Sequence, residues 1–284
     1  MPTTRTRSDR CPGALRPWQA ADGMLVRLRL IGGRVASEQM RALVAVAEAY
    51  GDGRVHVTSR TNLQVRAFPG IDGSLTDEAL MALEGTGLLP ARTHELVRNV
   101  MVSPQTGLAG GRVDLRSSSA ELDRLLCADA SLATLPGRFL FVLDDGRGDL
   151  IDRECDLGLV ALDESTVQLR VGVGWGDIVP VAHAPERLAA LAHEFVVRRG
   201  SGPAAPWHVA ELDEPLSDVA PADLRVPSAA GPLPYGDVPG GRHVEVTESG
   251  LDRAAIDEIA TRAGHLIVTP WRGVLIPNPS KETP

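Results

Sequence analysis

Nine polar side chains recur where strands end or turn in this sequence. They are Arg27 and Arg29 in MLVRLRL, Arg60, Asn62, Gln64 and Arg66 in GRVHVTSRTNLQVR, Arg98 in RNVMVSP, Arg138 in LPGRFLFVLDDG and Arg272 in TPWRGVLI. A guanidinium stays charged when partly buried and meets a carboxylate through two parallel N–H donors. Arginines converging from separate segments therefore suit a ligand with several carboxylates, each well-formed contact being worth roughly 1.5–3 kcal/mol. Taken singly, each reads equally well as a solvated arginine paired with one of the 37 acidic residues, so the chemistry rests on the set.

Other reactive residue types show less pattern. Cys11, Cys127 and Cys155 are spaced for neither a disulfide framework nor a thiolate metal site, and read as isolated thiols. The seven histidines carry no HExxH or similar ligand spacing, and His193 with Glu194 reads as a surface pair on a helix. Gly172, Gly174 and Gly176 follow a strand, but Asp177–Pro180 opens no helix, which a dinucleotide-binding loop requires. Asp144, Asp145, Asp149 and Asp152 read first as a solvated turn between strands and second as a metal site.

The elements that position these groups follow from periodicity. A strand from Met24 breaks at Gly32–Gly33, and a helix capped by Ser37 buries Met40, Leu43, Val44 and Ala47 before Gly51 and Gly53 stop it. Arg54–Thr58 is the next strand, Leu63 and Val65 alternate with polar neighbours, and a second helix starts after Thr76. In the middle, Ser118 and Glu121 form a capping box, and strands are expected at 139–143, 157–162 and 167–171, then a helix from Pro185 to Gly200. Residues 201–234, dense in proline, read as a linker. Beyond it the opening pattern returns: a strand at 243–247, a helix begun by Ser249 and Asp252, and a strand at 265–269. TSRTNLQV from Thr58 and TPWRGVLI from Thr269 thus form a weak internal repeat with one identical residue, threonine.

At 284 residues and 43% hydrophobic content the chain builds a substantial core in two or three modules. A net charge of −8 and an aromatic content of 4% argue against nucleic acid as a partner. No apolar run of about eighteen residues appears and MPTTRTRSDR lacks a signal-peptide core, so a cytoplasmic location with no membrane partner is expected.

As an ordered set, MLVRLRLIGG, GRVHVTSRTNLQVR, RNVMVSP, LPGRFLFVLDDG and TPWRGVLI resemble the nitrite and sulfite reductase superfamily. CPGALRPWQAADG and LPGRFLFVLDDGRGD favour its precorrin-3B synthase branch. The resemblance implies an α+β fold in which two ferredoxin-like half-domains, related by a pseudo-twofold repeat, flank an intervening nitrite/sulfite reductase-type α/β domain. The expected boundaries are 16–90 and 235–278 for the half-domains and 91–200 for the central domain, with polar tails at 1–15 and 279–284. It also implies a tetrapyrrole ligand, precorrin substrate or siroheme. Arg60 and Arg66 would lie near its carboxylate rim, Asn62 and Gln64 would supply amides, and Arg27, Arg29, Arg98, Arg138 and Arg272 the remaining tetrapyrrole-side cations.

Two departures accompany the resemblance. The reductases place a second cation two residues after the position of Arg138, where this sequence has Leu140. The family also holds a [4Fe-4S] cluster on four clustered cysteines, and the cysteines here do not supply that set. The expected activity is accordingly an O₂-dependent hydroxylation of precorrin-3A, with electrons from a donor or a separate iron–sulfur subunit. A non-catalytic tetrapyrrole-binding module and a fragment of a siroheme-dependent reductase are the competing readings.

Overall fold

The computed structural model describes residues 11–279, so most of the two polar tails lies outside the described residues. The chain divides into two compact units, one formed by residues 96–231 and the other by Pro12–Glu95 together with the chain from Pro232. The architecture is α+β, as the sequence implies.

The first half of the duplicated unit contains β1 (Trp18–Ala20), β2 (Gly23–Leu28), β3 (Arg34–Ala36), α1 (Ser37–Tyr50), β4 (His56–Val57), β5 (Leu63–Phe68), the short hairpin β6 (Gly70–Ile71) and β7 (Ser74–Leu75), and α2 (Asp77–Gly85). The central unit contains β8 (Val100–Val102), α3 (Arg116–Ala128), β9 (Phe141–Asp144), β10 (Leu157–Ala161), β11 (Thr166–Val171), β12 (Gly174–Pro180) and α4 (Ala184–Arg199). The second half adds β13 (Gly236–Val238), β14 (Gly241–Glu245), α5 (Arg253–Ala260), β15 (His265–Thr269) and β16 (Gly273–Pro277).

The two halves share one topology. Strand order is β1-β2-β5-β4 in the first sheet and β13-β14-β16-β15 in the second, with a helix between the second and third strands of each half. They also exchange edges. β3 joins the second sheet beside β15, pairing Leu266 with Val35, while Leu251 of the second half bridges Val55 at the edge of the first. Gly33 permits the first exchange: at φ +71° its carbonyl accepts Val268 N–H at 2.8 Å, and a Cβ there would stand 2.2 Å from the Val268 carbonyl oxygen.

Helix α1 buries Met40, Leu43, Val44 and Ala47, the i, i+3, i+4, i+7 stripe of an amphipathic helix. Val26, Leu28, Leu63 and Val65 from the first half and Ile256, Val268, Val274 and Ile276 from the second pack in the same core. Each fully buried aliphatic side chain contributes about 1.5–3 kcal/mol, so neither half is complete without the other's apolar face. Ser37 is the first helical residue rather than the cap; its hydroxyl donates to Ala263 O, and the Gln39 side chain accepts the Ala36 N–H at 3.2 Å.

The central unit is a five-stranded sheet in the order β12-β11-β10-β9-β8, parallel through β8, β9 and β10 and antiparallel beyond. β9 and β10 are buried throughout, as strands covered on both faces must be. GVGWGD turns the β11–β12 hairpin. α3 begins at Arg116, so Ser118 is a buried residue of its first turn and not a cap.

The proline-rich stretch read as a linker behaves otherwise over 201–231. Ala205, Val209 and Leu216 are buried. The Gln168 amide donates to Pro221 O and accepts Asp223 N–H, both at 2.9 Å, and Ala230 N–H donates to Gly148 O at 2.9 Å. Proline removes N–H groups from this strap, and those of Val209, Ala220, Asp223 and Ala230 dock on the sheet and its loops. Among the described residues no helix is long and apolar enough to cross a membrane.

Candidate functional site

The first sheet spends one face on the core and carries polar groups on the other. Val26, Leu63 and Val65 are buried inward, and strand alternation turns Arg27, His56 and Gln64 to the opposite face. Register places these three in one row: Arg27 opposes Gln64 across β2 and β5, and His56 opposes Gln64 across β4 and β5. Opposed residues have Cβ atoms roughly 4.5–5.5 Å apart, so a cation, an amide and an imidazole stand side by side. The His56 ring nitrogen Nε2 lies 3.0 Å from an Asp52 carboxylate oxygen, which orients it. Arg66 follows on a bulge whose next residue, Ala67, sits at φ +59°, and it pairs with Asp22 at 3.1 Å.

Arg60 lies on the turn between β4 and β5, half-buried. Thr58 N–H donates to Asn62 O at 2.9 Å, the Thr58 hydroxyl accepts Asn62 N–H at 3.1 Å, and Thr61 takes φ +56°. The turn between β15 and β16 repeats this design. Thr269 Oγ1 accepts Gly273 N–H at 3.2 Å and Arg272 takes φ +57°. The one identity of the internal repeat is thus the residue whose side chain closes both turns.

The corresponding face of the second sheet has different chemistry. By register, Arg27, Gln64 and His56 are matched by His243, Leu275 and Ile267, all buried. His243 Nδ1 lies 3.1 Å from the carbonyls of Leu233 and Pro234, which only accept, so Nδ1 carries the proton. Nε2 then accepts the Thr269 hydroxyl at 2.9 Å, and burial lowers the histidine's pKa, favouring this neutral form. The Tyr235 ring stacks on His243 at 4.7 Å. The halves share a backbone plan, and the polar row is specific to the first.

Other expected site residues separate. Arg29, 3% exposed, donates to Pro12 O at 3.1 Å, and Asn62, 0% exposed, accepts Leu30 N–H at 3.0 Å; both hold backbone and do not line the polar row. Arg272 is exposed beside Glu248 at 3.5 Å. In the central unit, Arg98 is buried and grips Asp123 of α3 through two bonds of 2.6 and 2.8 Å, which uses the fork that a ligand carboxylate would need. Arg138 is exposed at a turn where Phe139 N–H meets Pro136 O, and Asn99 Nδ2 donates to Gly137 O at 3.0 Å. Asn99 therefore joins RNVMVSP to LPGRF. Leu140 packs with Met101, Val142 and Leu150, so the position of the second cation faces a core.

The acidic run is no solvated turn. Asp144 is buried and accepts the N–H groups of Gly146, Gly148 and Leu150, while Arg147 grips Asp145. Asp149 accepts the Ser103 hydroxyl at 2.6 Å, and burial, opposed by that bond, pushes its carboxyl up to about 7. Among the described residues no group of three or more His, Cys, Asp or Glu could hold a metal ion. His193 and Glu194 lie on the surface of α4, where His193 pairs with Asp129 at 2.9 Å and Glu194 with Arg198.

Residues 18–80, which contain the polar row and the Arg60 turn, match the family described as the nitrite/sulfite reductase ferredoxin-like half domain. The ferredoxin–nitrite reductase of Synechococcus elongatus is 32% identical over 159 residues, 53% of this chain and 30% of that protein. The precorrin-3B synthase of a Sinorhizobium species is 28% identical over 176 residues, 60% of this chain and 35% of the synthase. The chain is thus similar to the nitrite and sulfite reductase superfamily, the family match itself covering residues 18–80. The NirA protein of Mycobacterium tuberculosis shares the fold, with a TM-score of 0.61 at 18% identity over 90% of this chain and 54% of that one. The chain spans 30% and 35% of the curated relatives just described, about a third of their length.

The polar row has the donor types that the acidic rim of a tetrapyrrole calls for, since Arg27 opposes Gln64 and Arg66 follows on the same strand, paired with Asp22. The described residues do not fit a [4Fe-4S] cluster: Cys127 and Cys155 are free, neither belongs to a ligand group, and burial pushes the Cys155 thiol up to about 11. His56 escaped the sequence reading, although its alternation with Val55 and Val57 places it on the face of Gln64. Asn99 escaped because a side chain that ties two segments together leaves no periodic signal.

Proposed function

We propose that this chain is the tetrapyrrole-binding portion of an oxidoreductase and that its reaction is of the precorrin-3B synthase type. The observation that carries the reading is the row Arg27–Gln64–His56, which lies within the family-matched residues and is replaced in the second half by the buried His243, Leu275 and Ile267. Arg27, Arg60 and Arg66 bind substrate carboxylates, and Gln64 donates through its amide. Their work is orientation: binding energy gathered at the rim fixes the macrocycle relative to the oxidant. In a hydroxylation of precorrin-3A one oxygen atom of O₂ enters the macrocycle. The other leaves as water, with two electrons from a donor protein or a separate iron–sulfur subunit and two protons. The donor protein or iron–sulfur subunit would supply the redox chemistry, and the residues of this chain the orientation.

Nitrite reduction is the second reading, favoured by the 32% identity to a nitrite reductase. The apolar surroundings of Leu140 weigh against it, because a small anion there would lack a second cation. A titration of the full chain with uroporphyrin, an octacarboxylate, tests the shared part of both readings. Arg27→Ala and Arg60→Ala are each expected to weaken binding by about tenfold, the value of one charged contact. Arg262→Ala, on an exposed pair with Glu258, leaves it unchanged. Equal effects of all three substitutions would remove the site.

A further inference from the structure

Asp22 lies in the turn between β1 and β2, and the glycine after it brings that turn onto Arg66. Gly23, at φ +130°, approaches the bulge on β5 so closely that a Cβ there would stand 2.9 Å from the backbone of Ala67. The bulge falls between the pairs Met24–Phe68 and Val26–Val65, and a bulge re-aims the side chains it carries. From the other side the loop after α1 pins the same backbone. Asp52 N–H donates to Arg66 O at 3.1 Å, and a Cβ on Gly51 would collide with that oxygen. Held in this way, Arg66 meets the Asp22 carboxylate at 3.1 Å, with the two side chains 38% and 42% exposed, while its Nε is buried without a hydrogen-bond partner. The pair belongs to the same compact unit as Arg27 and Gln64, on the strands that carry them.

We propose that Asp22 is a displaceable counter-ion, which occupies the Arg66 guanidinium until a carboxylate of the ligand takes its place and so holds the affinity of the site below what its cations alone would give. The polar row already carries Arg27, and like charges on neighbouring strands of one sheet face repel, so the unliganded site is steadied by an anion of its own. An exposed ion pair shifts an equilibrium by no more than about fivefold. A ligand carboxylate that meets both terminal nitrogens of the guanidinium makes the stronger contact and can displace Asp22 at small cost. The inference deepens the proposed function and rests on its assignment of Arg66 to the ligand.

The test is a uroporphyrin titration of the full chain carrying Asp22→Ser, Asp22→Glu, Arg66→Ala and the Asp22→Ser/Arg66→Ala pair, with circular dichroism to confirm folding. Asp22→Ser is expected to tighten binding by about threefold, the release of one exposed ion pair, while Asp22→Glu keeps the wild-type affinity to within about 1.5-fold. In the Arg66→Ala background Asp22→Ser changes affinity by less than about 1.5-fold, because the aspartate acts through the arginine. Equal tightening in both backgrounds would reduce the effect to general repulsion of an anionic ligand and overturn the proposal. Unchanged binding by Asp22→Ser overturns it too, and weakened binding would make Asp22 a support for Arg66 and not its competitor. If Arg66→Ala does not fold, Arg66→Gln takes its place under the same criteria. Wild-type binding by Arg66→Ala overturns this inference but leaves the Arg27–Gln64–His56 row, tested through Arg27 and Arg60, standing.

Discussion

Replacing Arg98 with alanine separates a structural arginine from a ligand-binding one. The Arg98 side chain is 8% exposed and that of Asp123 23%, and two bonds of 2.6 and 2.8 Å join them. Deleting one partner of a buried pair costs about 3–5 kcal/mol, because the other charge is left behind without compensation. Asp123 still reaches some water, which places the loss near the lower end, about 3 kcal/mol. With a urea m-value of about 2 kcal/mol/M, the unfolding midpoint falls by about 1.5 M. Replacing the pair by apolar groups, as in Arg98→Met/Asp123→Leu, recovers most of the loss, since no charge remains buried. Uroporphyrin affinity of the folded Arg98→Ala protein stays within about twofold of wild type. A midpoint unmoved within about 0.3 M, joined to a tenfold loss of porphyrin binding, would refute the reasoning and return Arg98 to the ligand.

Asp149 gives a pH signature. Its carboxyl holds its proton to about 7 in the folded protein, against an ordinary value of 3.8, so the unfolded chain releases that proton first and stability falls as pH rises from about 4 to 7. Asp149→Asn flattens that fall in urea midpoints taken across the interval, and an unchanged slope would exclude Asp149 as its source. Thr58→Val costs about 1 kcal/mol through the lost acceptor of Asn62 N–H. Thr269→Val costs about 1 kcal/mol more, because it also strands the His243 ring nitrogen. Equal losses in thermal unfolding would mean that the bond to His243 contributes nothing.

Elements with regular periodicity were legible in the sequence. The stripe of α1, the Thr76 cap whose oxygen accepts Ala79 N–H, and the strand at 265–269 follow from residue spacing alone. The repeat was legible for a subtler reason: threonine persisted because its hydroxyl closes a turn that any side chain may otherwise decorate. What depends on partners distant in sequence was hidden. Arg98 reads like Arg60 until Asp123 is placed beside it. Proline density at 201–231 signals missing N–H groups but says nothing of where the remaining ones dock. Asp144 looked solvated because aspartate is common in turns, yet three backbone N–H groups enclose it.

The traded edges of the duplicated unit bear on how the chain reaches its native state. β3 is completed by β15, whose residues emerge more than two hundred positions later, once the whole central unit has been made. Such distant pairing carries a large closure entropy and slows folding, so the central unit is free to fold first while the N-terminal half waits for its mate. The central unit lies in the chain between two halves that trade edges. A chain in which a short flexible spacer replaces residues 96–231 would keep both seams and shorten the wait.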